Sequence, residues 1–494
     1  EFSRLIEGEN SKNIAVLSDK IKDILGCEQN LRLNWHELEK FKATSEKKGS
    51  SSNALFKQIA VHEAGNEIKE EVNTYNSLKI IFSYDLTPKK REANDFIQYF
   101  NNRYKAIEKI LKQRQELQNT TSINRLINKR DREQISVIGM VEDKHQTKNG
   151  NYILTIEDKT GHIKVLVNKN KPDLFKIVKD VVLDEIIGVV GVNGNNIIFA
   201  SNLLFPDVPL TKEIKKTTEE IYALFLSDLH VGSKNFMEED FNKFLKWINC
   251  GLGSKTQREI ASKVRYIFII GDLVDGCGVY PGQEKELEIK DIRDQYKVCA
   301  DLLSKIPKKI KLIICPGNHD AMRLAEPQLP LYKDFAEPLY NLPNAAMVSN
   351  PSMVNIHSSD NFSGFDVLMY HGYSFDFYFA EVESIRDKGG YDRADLLMKF
   401  LLQKRHLAPS YTSTLHAPDT NLDYLLIDKV PDFFVSGHIH KAAAANYKNV
   451  TLISGSCWQS KTEFQEKVGH NPEPSRVPIV NLQTRDIKML KFGE

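Results

Sequence analysis

The chain has little that would tie it to an oxidising compartment, a membrane or a polyanion. Six cysteines in 494 residues, at positions 27, 250, 277, 299, 315 and 457, form no C-x-x-C pair. Several fall in apolar runs, so they read as buried thiols of a reducing compartment and not as a disulfide framework or zinc ribbon. No stretch approaches the ~20 apolar residues of a membrane span, and no basic-apolar-small leader opens the chain; a cytoplasmic protein without a membrane partner is expected. With 67 basic against 66 acidic side chains the formal net charge is +1. Global attraction to nucleic acid is therefore absent, and contact with any polyanion has to be local. The length allows two or three domains.

What the sequence does have is a set of polar motifs, each closing an apolar run. In order they are SDLHVGS (227–233), GDLVDG (271–276), PGNHD (316–320), YHGYSF (370–375) and SGHIHK (436–441). The preceding runs, 221–226, 264–270, 310–315, 365–369 and 431–435, have strand length and strand composition. Loops at the carboxyl edge of a sheet are where open α/β folds place their chemistry. Asp228, His230, Asp272, Asn318, His319, His371, His438 and His440 are hard or borderline ligands, and such a mixed set points to Mn, Fe or Zn rather than to a pure Mg or Ca site. Two divalent ions sharing a carboxylate clamp the attacking and leaving oxygens of a phosphoryl displacement. A histidine not consumed as a ligand then supplies the acid for the leaving oxygen. One Asp-Leu-His alone is more often a surface turn; five motifs in order at five strand ends are not.

The succession D-x-H, G-D-x-x-D, G-N-H-[DE], H-G and G-H-x-H resembles the calcineurin-like metallophosphoesterase superfamily over roughly residues 221 to 494. The resemblance implies an α/β fold in which a two-sheet sandwich is flanked by helices. It implies one ion on Asp228, His230, Asp272 and His440 and a second on Asp272, Asn318, His371 and His438, with Asp272 as the bridge. His319 would be the general acid, and Asp320 would lie beside it to orient or charge its ring. The cofactor implied is a pair of divalent ions, Mn preferred, with Fe, Zn or Mg open. Two positions depart from the protein phosphatases of this superfamily: Gly276 stands where they carry arginine, and Asp320 where they carry glutamate. Lacking that bidentate grip on a dianion, the pattern leans toward a phosphodiester, unless Arg323 or Arg405 supplies it.

Residues 133–208 read as three strands, a short helix and two strands, with glycine-bearing turns at 148–150 and 158–161, the element order of an OB-fold β-barrel. A generic small barrel and a binding barrel both fit. Such a unit directly before the phosphoesterase resembles the small-subunit family of archaeal family-D DNA polymerases. The resemblance extends to GMVEDKHQTKNGNYILTIEDKTG (139–161), YDRADLLMKFLLQKRHLAP (391–409) and VPDFFVSGHIH (430–440), and covers about residues 78 to 494. It implies a metal-dependent 3′–5′ exodeoxyribonuclease for proofreading. The partners it implies are DNA and a large polymerising subunit, in a heterodimer or heterotetramer. A non-catalytic scaffold subunit and a stand-alone repair nuclease of the same superfamily are the alternatives. Intact ligands count against the first and the preceding barrel against the second.

The expected organisation is a helical region and flexible linker over 1–75, a linker strand and amphipathic helix over 76–132, the barrel over 133–208 and the phosphoesterase over 215–494. Helical spacing appears at 11–25 and 31–41, and 45–52 has linker composition. The strongest helix is 92–115, with a stripe of Phe96, Tyr99, Phe100, Tyr104, Ile107, Ile110 and Leu111. Between Arg103 and Arg132 nine basic residues face three acidic ones, either a solvated face or a track for a phosphate backbone. An exposed amphipathic surface on the 391–402 helix and around 458–464 is the expected docking surface for the large subunit.

Overall fold

The computed structural model describes residues 77–85, 90–127, 129 and 132–493. The helices expected at 11–25 and 31–41 and the linker at 45–52 lie outside them. The first strand, β1 (Leu78–Ser83), is an edge strand of a sheet built from much later sequence. It is followed by the helix Ala93–Leu111, whose start is fixed by reciprocal bonds between Glu92 and Asp95. This helix buries Ile97, Tyr99, Phe100, Tyr104, Ile107 and Leu111 against Ile138, Met140, Ile186 and Leu204.

Those last four residues belong to a closed five-stranded barrel. Its strands β2 (Gln134–Gln146), β3 (Tyr152–Asp158), β4 (Gly161–Val167), β5 (Ile186–Asn193) and β6 (Ile197–Leu204) run in the order β2-β3-β4-β6-β5. β4 and β6 pair in parallel and the other neighbours antiparallel. The expected turns are where closure needs them: Gly150 has φ 81°, and Asp158 Oδ1 accepts the N–H groups of Thr160 and Gly161 at 2.7 and 3.1 Å. The expected helix between the third and fourth barrel strands is Pro172–Lys179. Alternate residues Leu154, Ile156, Ile163, Val165 and Val167 fill the interior.

The remaining strands are β7 (Tyr222–Leu226), β8 (Val264–Ile270), β9 (Lys311–Cys315), β10 (Ala345–Met347), β11 (Ser352–Ile356), β12 (Phe365–Met369), β13 (Phe433–Ser436), β14 (Ala443–Tyr447), β15 (Val450–Ser454), β16 (Arg476–Asn481) and β17 (Ile487–Lys491). They form two six-stranded mixed sheets, β10-β9-β8-β7-β16-β17 and β1-β11-β12-β13-β15-β14. The inner faces meet through Phe225, Phe268, Ile270 and Ile313 on one side and Val354, Val367, Phe433 and Ile453 on the other. Helices Glu238–Ile248 and Ile292–Ser304 cover the outside of the first sheet, and Phe375–Glu381 and Ala394–Lys404 that of the second. Strands enclosed on both faces need no polar alternation, which explains why YALFL, FDVLM and VTLIS are buried throughout.

The helix over 391–402 requires a correction. Ala394, Leu397, Met398, Phe400, Leu401 and Leu402 are all buried, because apolar residues occupy too wide an arc of ADLLMKFLLQK to leave an amphipathic face outside. Trp458 is buried as well, whereas Lys461, Glu463 and Phe464 remain exposed, so of the expected docking surface it is chiefly the latter half of 458–464 that faces water. Cys299, Cys315 and Cys457 are buried thiols, whereas Cys250 and Cys277 are exposed. No helix among the described residues is long and apolar enough to cross a membrane.

Candidate metal centre

The strands β7, β8 and β9 of one sheet and β12 and β13 of the other deliver the five motifs to one place. The chain turns sharply to do so. Asp228, His230 and Asp272 have φ of 52°, 51° and 50°, and His438 and His440 have 71° and 54°. Side chains rarely adopt this left-handed region, and its cost is tolerated where function requires a direction the strand cannot give. Two glycines make room for the convergence. A Cβ on Gly317 would lie 2.2 Å from Asp272 Oδ1, and one on Gly271 would lie 2.4 Å from His371 Nδ1.

Two groups of donor atoms result. In the first, His440 Nε2 is 3.0 Å from His230 Nε2 and 3.4 Å from Asp228 Oδ1, and His230 Nε2 lies 4.0 Å from Asp228 Oδ1. In the second, Asn318 Oδ1 is 3.0 Å from both His371 Nε2 and His438 Nδ1, and His371 Nε2 is 3.3 Å from Asp272 Oδ2. That Asp272 oxygen also lies 3.9 Å from His230 Nε2, between the groups. Ligand atoms about 2.0–2.2 Å from one ion stand roughly 3 to 3.5 Å from each other, so most of these separations fit a shared cation. Asp228, His230 and His440, likewise Asp272, His371 and His438, and also His230, Asp272 and His319, keep their ligand atoms within 4.8 Å of one another.

The outer nitrogens of the histidines fix which lone pairs face inward. His230 Nδ1 is 3.1 Å from Asp275 Oδ1, His371 Nδ1 is 2.9 Å from the Ile270 carbonyl, and His438 Nε2 is 3.0 Å from Asp376 Oδ2. With an ion bound, each outer acceptor would take the ring proton and leave the inner nitrogen's lone pair free, the arrangement that orients metal-binding imidazoles. Charge points the same way. Burial disfavours a charged His371 ring, but Asp272 and then Asp228 outweigh it and lift its pKa to about 10. Burial likewise works against the Asp272 carboxylate, yet His371 and His319 hold it well below the usual range. Two buried carboxylates thus create a demand for positive charge that a divalent ion would meet.

His319 stands beside these groups, half-buried, its ring 4.7 Å from that of His230. Its Nδ1 lies 2.7 Å from the Asp275 carbonyl oxygen, and its backbone N–H donates to Asp272 Oδ1 at 2.8 Å. Burial is the largest influence on the ring and lowers its pKa. Asp320 does not orient it, which corrects the expectation. Its Oδ2 accepts the N–H groups of Gly317 and Leu273, at 2.8 and 3.4 Å, and its Oδ1 accepts the Tyr296 hydroxyl at 3.0 Å. Burial, and then the charge of Asp272, push this carboxyl up to about 7. Asp320 therefore shapes the loop beneath the site.

The residue that holds the ring is Asp275, whose presence in G-D-x-x-D was the available signal. Asp376, Gln459 and Gln465 were missed because no motif contains them. Gln459 donates to Asp275 Oδ1 at 2.8 Å, and the Gln465 carboxamide is 2.9 Å from His440 Nδ1. Neither expected arginine reaches the centre. Arg405 is buried on the carbonyls of Ile427, Asp428 and Asp207, and Arg323 donates to the Pro327 carbonyl and lies over the Tyr84 ring.

A two-sheet sandwich with these five loops at its edge defines a calcineurin-like phosphoesterase domain, and residues 221–442 match the family model for the Calcineurin-like phosphoesterase. Similarity to whole proteins runs further. The chain is 40% identical over 402 residues to the DNA polymerase II small subunit of Methanothermobacter thermautotrophicus, covering 81% of this chain and 80% of that one. It is 38% identical over 422 residues to that of Archaeoglobus fulgidus, covering 85% and 81%. With that of Pyrococcus furiosus it shares 40% identity over 398 residues, covering 80% of this chain and 63% of the other. The chain belongs to the DNA polymerase II small subunit family.

Proposed function

We propose that this chain carries a metal-dependent 3′–5′ DNA exonuclease that proofreads beside the large catalytic subunit of a family-D polymerase, and that its barrel is an OB-fold. The observation that carries the reading is the convergence of a complete donor set, Asp228, His230, Asp272, Asn318, His371, His438 and His440, next to a histidine outside both groups. Two divalent ions, Mn preferred, would be held by Asp228, His230, Asp272 and His440 and by Asp272, Asn318, His371 and His438, with Asp272 shared. When bound, such ions supply an activated water and neutralise charge building on the phosphoryl group.

The remaining work falls to the chain. The Asp275 carbonyl accepts the Nδ1 proton of His319, so the ring acts as the acid only in its doubly protonated form, whose Nε2 proton then passes to the departing 3′ oxygen. Asp320 keeps the loop of Asn318 and His319 in place from below. Among the described residues no arginine is seen to contact the centre, which favours a singly charged diester over a monoester dianion, as DNA cleavage requires. Kinship with DNA polymerase II small subunits supports DNA and a large subunit as partners and a cytoplasmic site of action. The donor set argues against a purely structural subunit.

The test is a time course on 5′-labelled single-stranded DNA, with Mn added after chelation, beside para-nitrophenyl phosphate. Stepwise shortening from the 3′ end with little monoester turnover is expected. Intact DNA at full metal occupancy would leave the scaffold role as the reading.

A further inference from the structure

The rim beside His319 carries an aromatic pair that neither the fold nor the donor set explains. Tyr280 and Phe464 stack with centroids 5.2 Å apart and planes at 23°, and Tyr280 is 6.4 Å from the His319 ring. Phe464 is 47% exposed, a large apolar ring left in water and separated from His319 by the one stacked ring of Tyr280. Its position is nevertheless fixed. The next residue, Gln465, contacts His440 Nδ1 and closes a reciprocal cap with Thr462. On the other side, the Tyr280 hydroxyl donates to Glu286 at 2.6 Å. The preceding Val279 N–H donates to Gln283 Oε1 at 2.9 Å, and the Gln283 carboxamide N–H donates to the carbonyl and to Oδ2 of Asp275 at 2.8 and 2.9 Å. Both rings are thus tied, one residue away, to groups that hold the metal-site histidines. Near His438, Tyr391 is already engaged, its hydroxyl by Asp376, which also meets His438, and its ring by Phe379 and His470.

We propose that the Phe464–Tyr280 stack is a platform for the terminal nucleobase of a single-stranded end, setting the last phosphodiester against His319. The inference rests on the polynucleotide substrate proposed above and adds how that substrate is gripped. Arg323 and Arg405 are engaged elsewhere, and a rigid aromatic face supplies a grip on the substrate that does not depend on them. Every base offers a π-face, so the platform accepts all four bases. A base still paired in a duplex cannot turn onto it, so the platform selects unpaired ends.

The experiment compares tetranucleotides ending in a normal 3′ nucleotide with the same strands ending in an abasic sugar. They compete for the full chain in chelator, read by fluorescence anisotropy. Wild type is expected to favour the base-bearing end by about 5- to 100-fold, alike for the four bases. F464A brings the ratio close to one, and F464W retains it. The proposal is overturned if wild type binds both ends alike or neither, or if F464A weakens both equally. Should the Phe464-dependent preference appear while added Mn yields no cleavage, the platform stands and the exonuclease reading fails.

Discussion

Asp275 grips His319 through its backbone: the ring Nδ1 lies 2.7 Å from the Asp275 carbonyl oxygen, while the carboxylate of the same residue is spent on His230. One residue therefore orients the ring of the proposed acid and that of a proposed ligand. Because His319 belongs to neither principal ligand group, His319→Ala is expected to lower kcat by about 10²- to 10⁴-fold while both ions stay bound. Turnover on DNA and metal content of the same sample check this together, and wild-type turnover would remove His319 from the mechanism.

Asp272 lies between the two donor groups, 3.3 Å from His371 Nε2 and 3.9 Å from His230 Nε2. Asp272→Ala is expected to lose both ions at once, whereas Asp275→Asn, which alters the outer partner of His230 and the acceptor of Gln459 and Gln283, weakens metal binding by about 10- to 100-fold. Metal titration of the chelated proteins distinguishes them; one ion at full occupancy in Asp272→Ala would refute the shared ligand.

These centres were legible because enclosed strands leave unbroken apolar runs, and each run ended in a polar motif. The barrel was legible for a different reason, its turns needing Gly150 and the Asp158–Gly161 segment at fixed places. Pairings across long stretches of sequence gave no local sign. Arg103, counted with a basic run, is buried, donating to Asp423, to the Pro409 carbonyl and to the Tyr99 hydroxyl. Asp376 meets His438 from 62 residues away. The 391–402 helix misled because a wide apolar arc reads equally as core and as interface.

The surroundings of Arg103 give stability a pH dependence. Burial, and then the Arg103 guanidinium, hold His406 down to about 4 and His416 down to about 3. Both rings are neutral in the folded protein and take up protons near pH 6.5 once unfolded. The unfolded chain therefore binds more protons below pH 6.5, and stability falls as pH drops toward 4, by on the order of 3 kcal/mol for His406 alone. Denaturant midpoints between pH 7.5 and about 4.5 should show this decline, and His406→Gln should flatten part of it. An equal slope in that variant would assign the decline to other groups.

A second buried pair joins the barrel to the phosphoesterase. Lys404 Nζ is 2.6 Å from Glu185 Oε2, both side chains are 2% exposed, and the ammonium lies 3.6 Å from the centre of the Phe205 ring. Burial drives both groups toward their neutral forms, raising Glu185 and lowering Lys404. Removing one partner leaves the other charge enclosed, so Lys404→Met is expected to cost about 3–5 kcal/mol. Replacing both partners removes the uncompensated charge, and E185M/K404M should recover most of that loss. Chemical denaturation of the two single variants and the double variant closes the cycle. A double variant as unstable as the sum of the singles would mean that the pair acts through packing rather than through its charges.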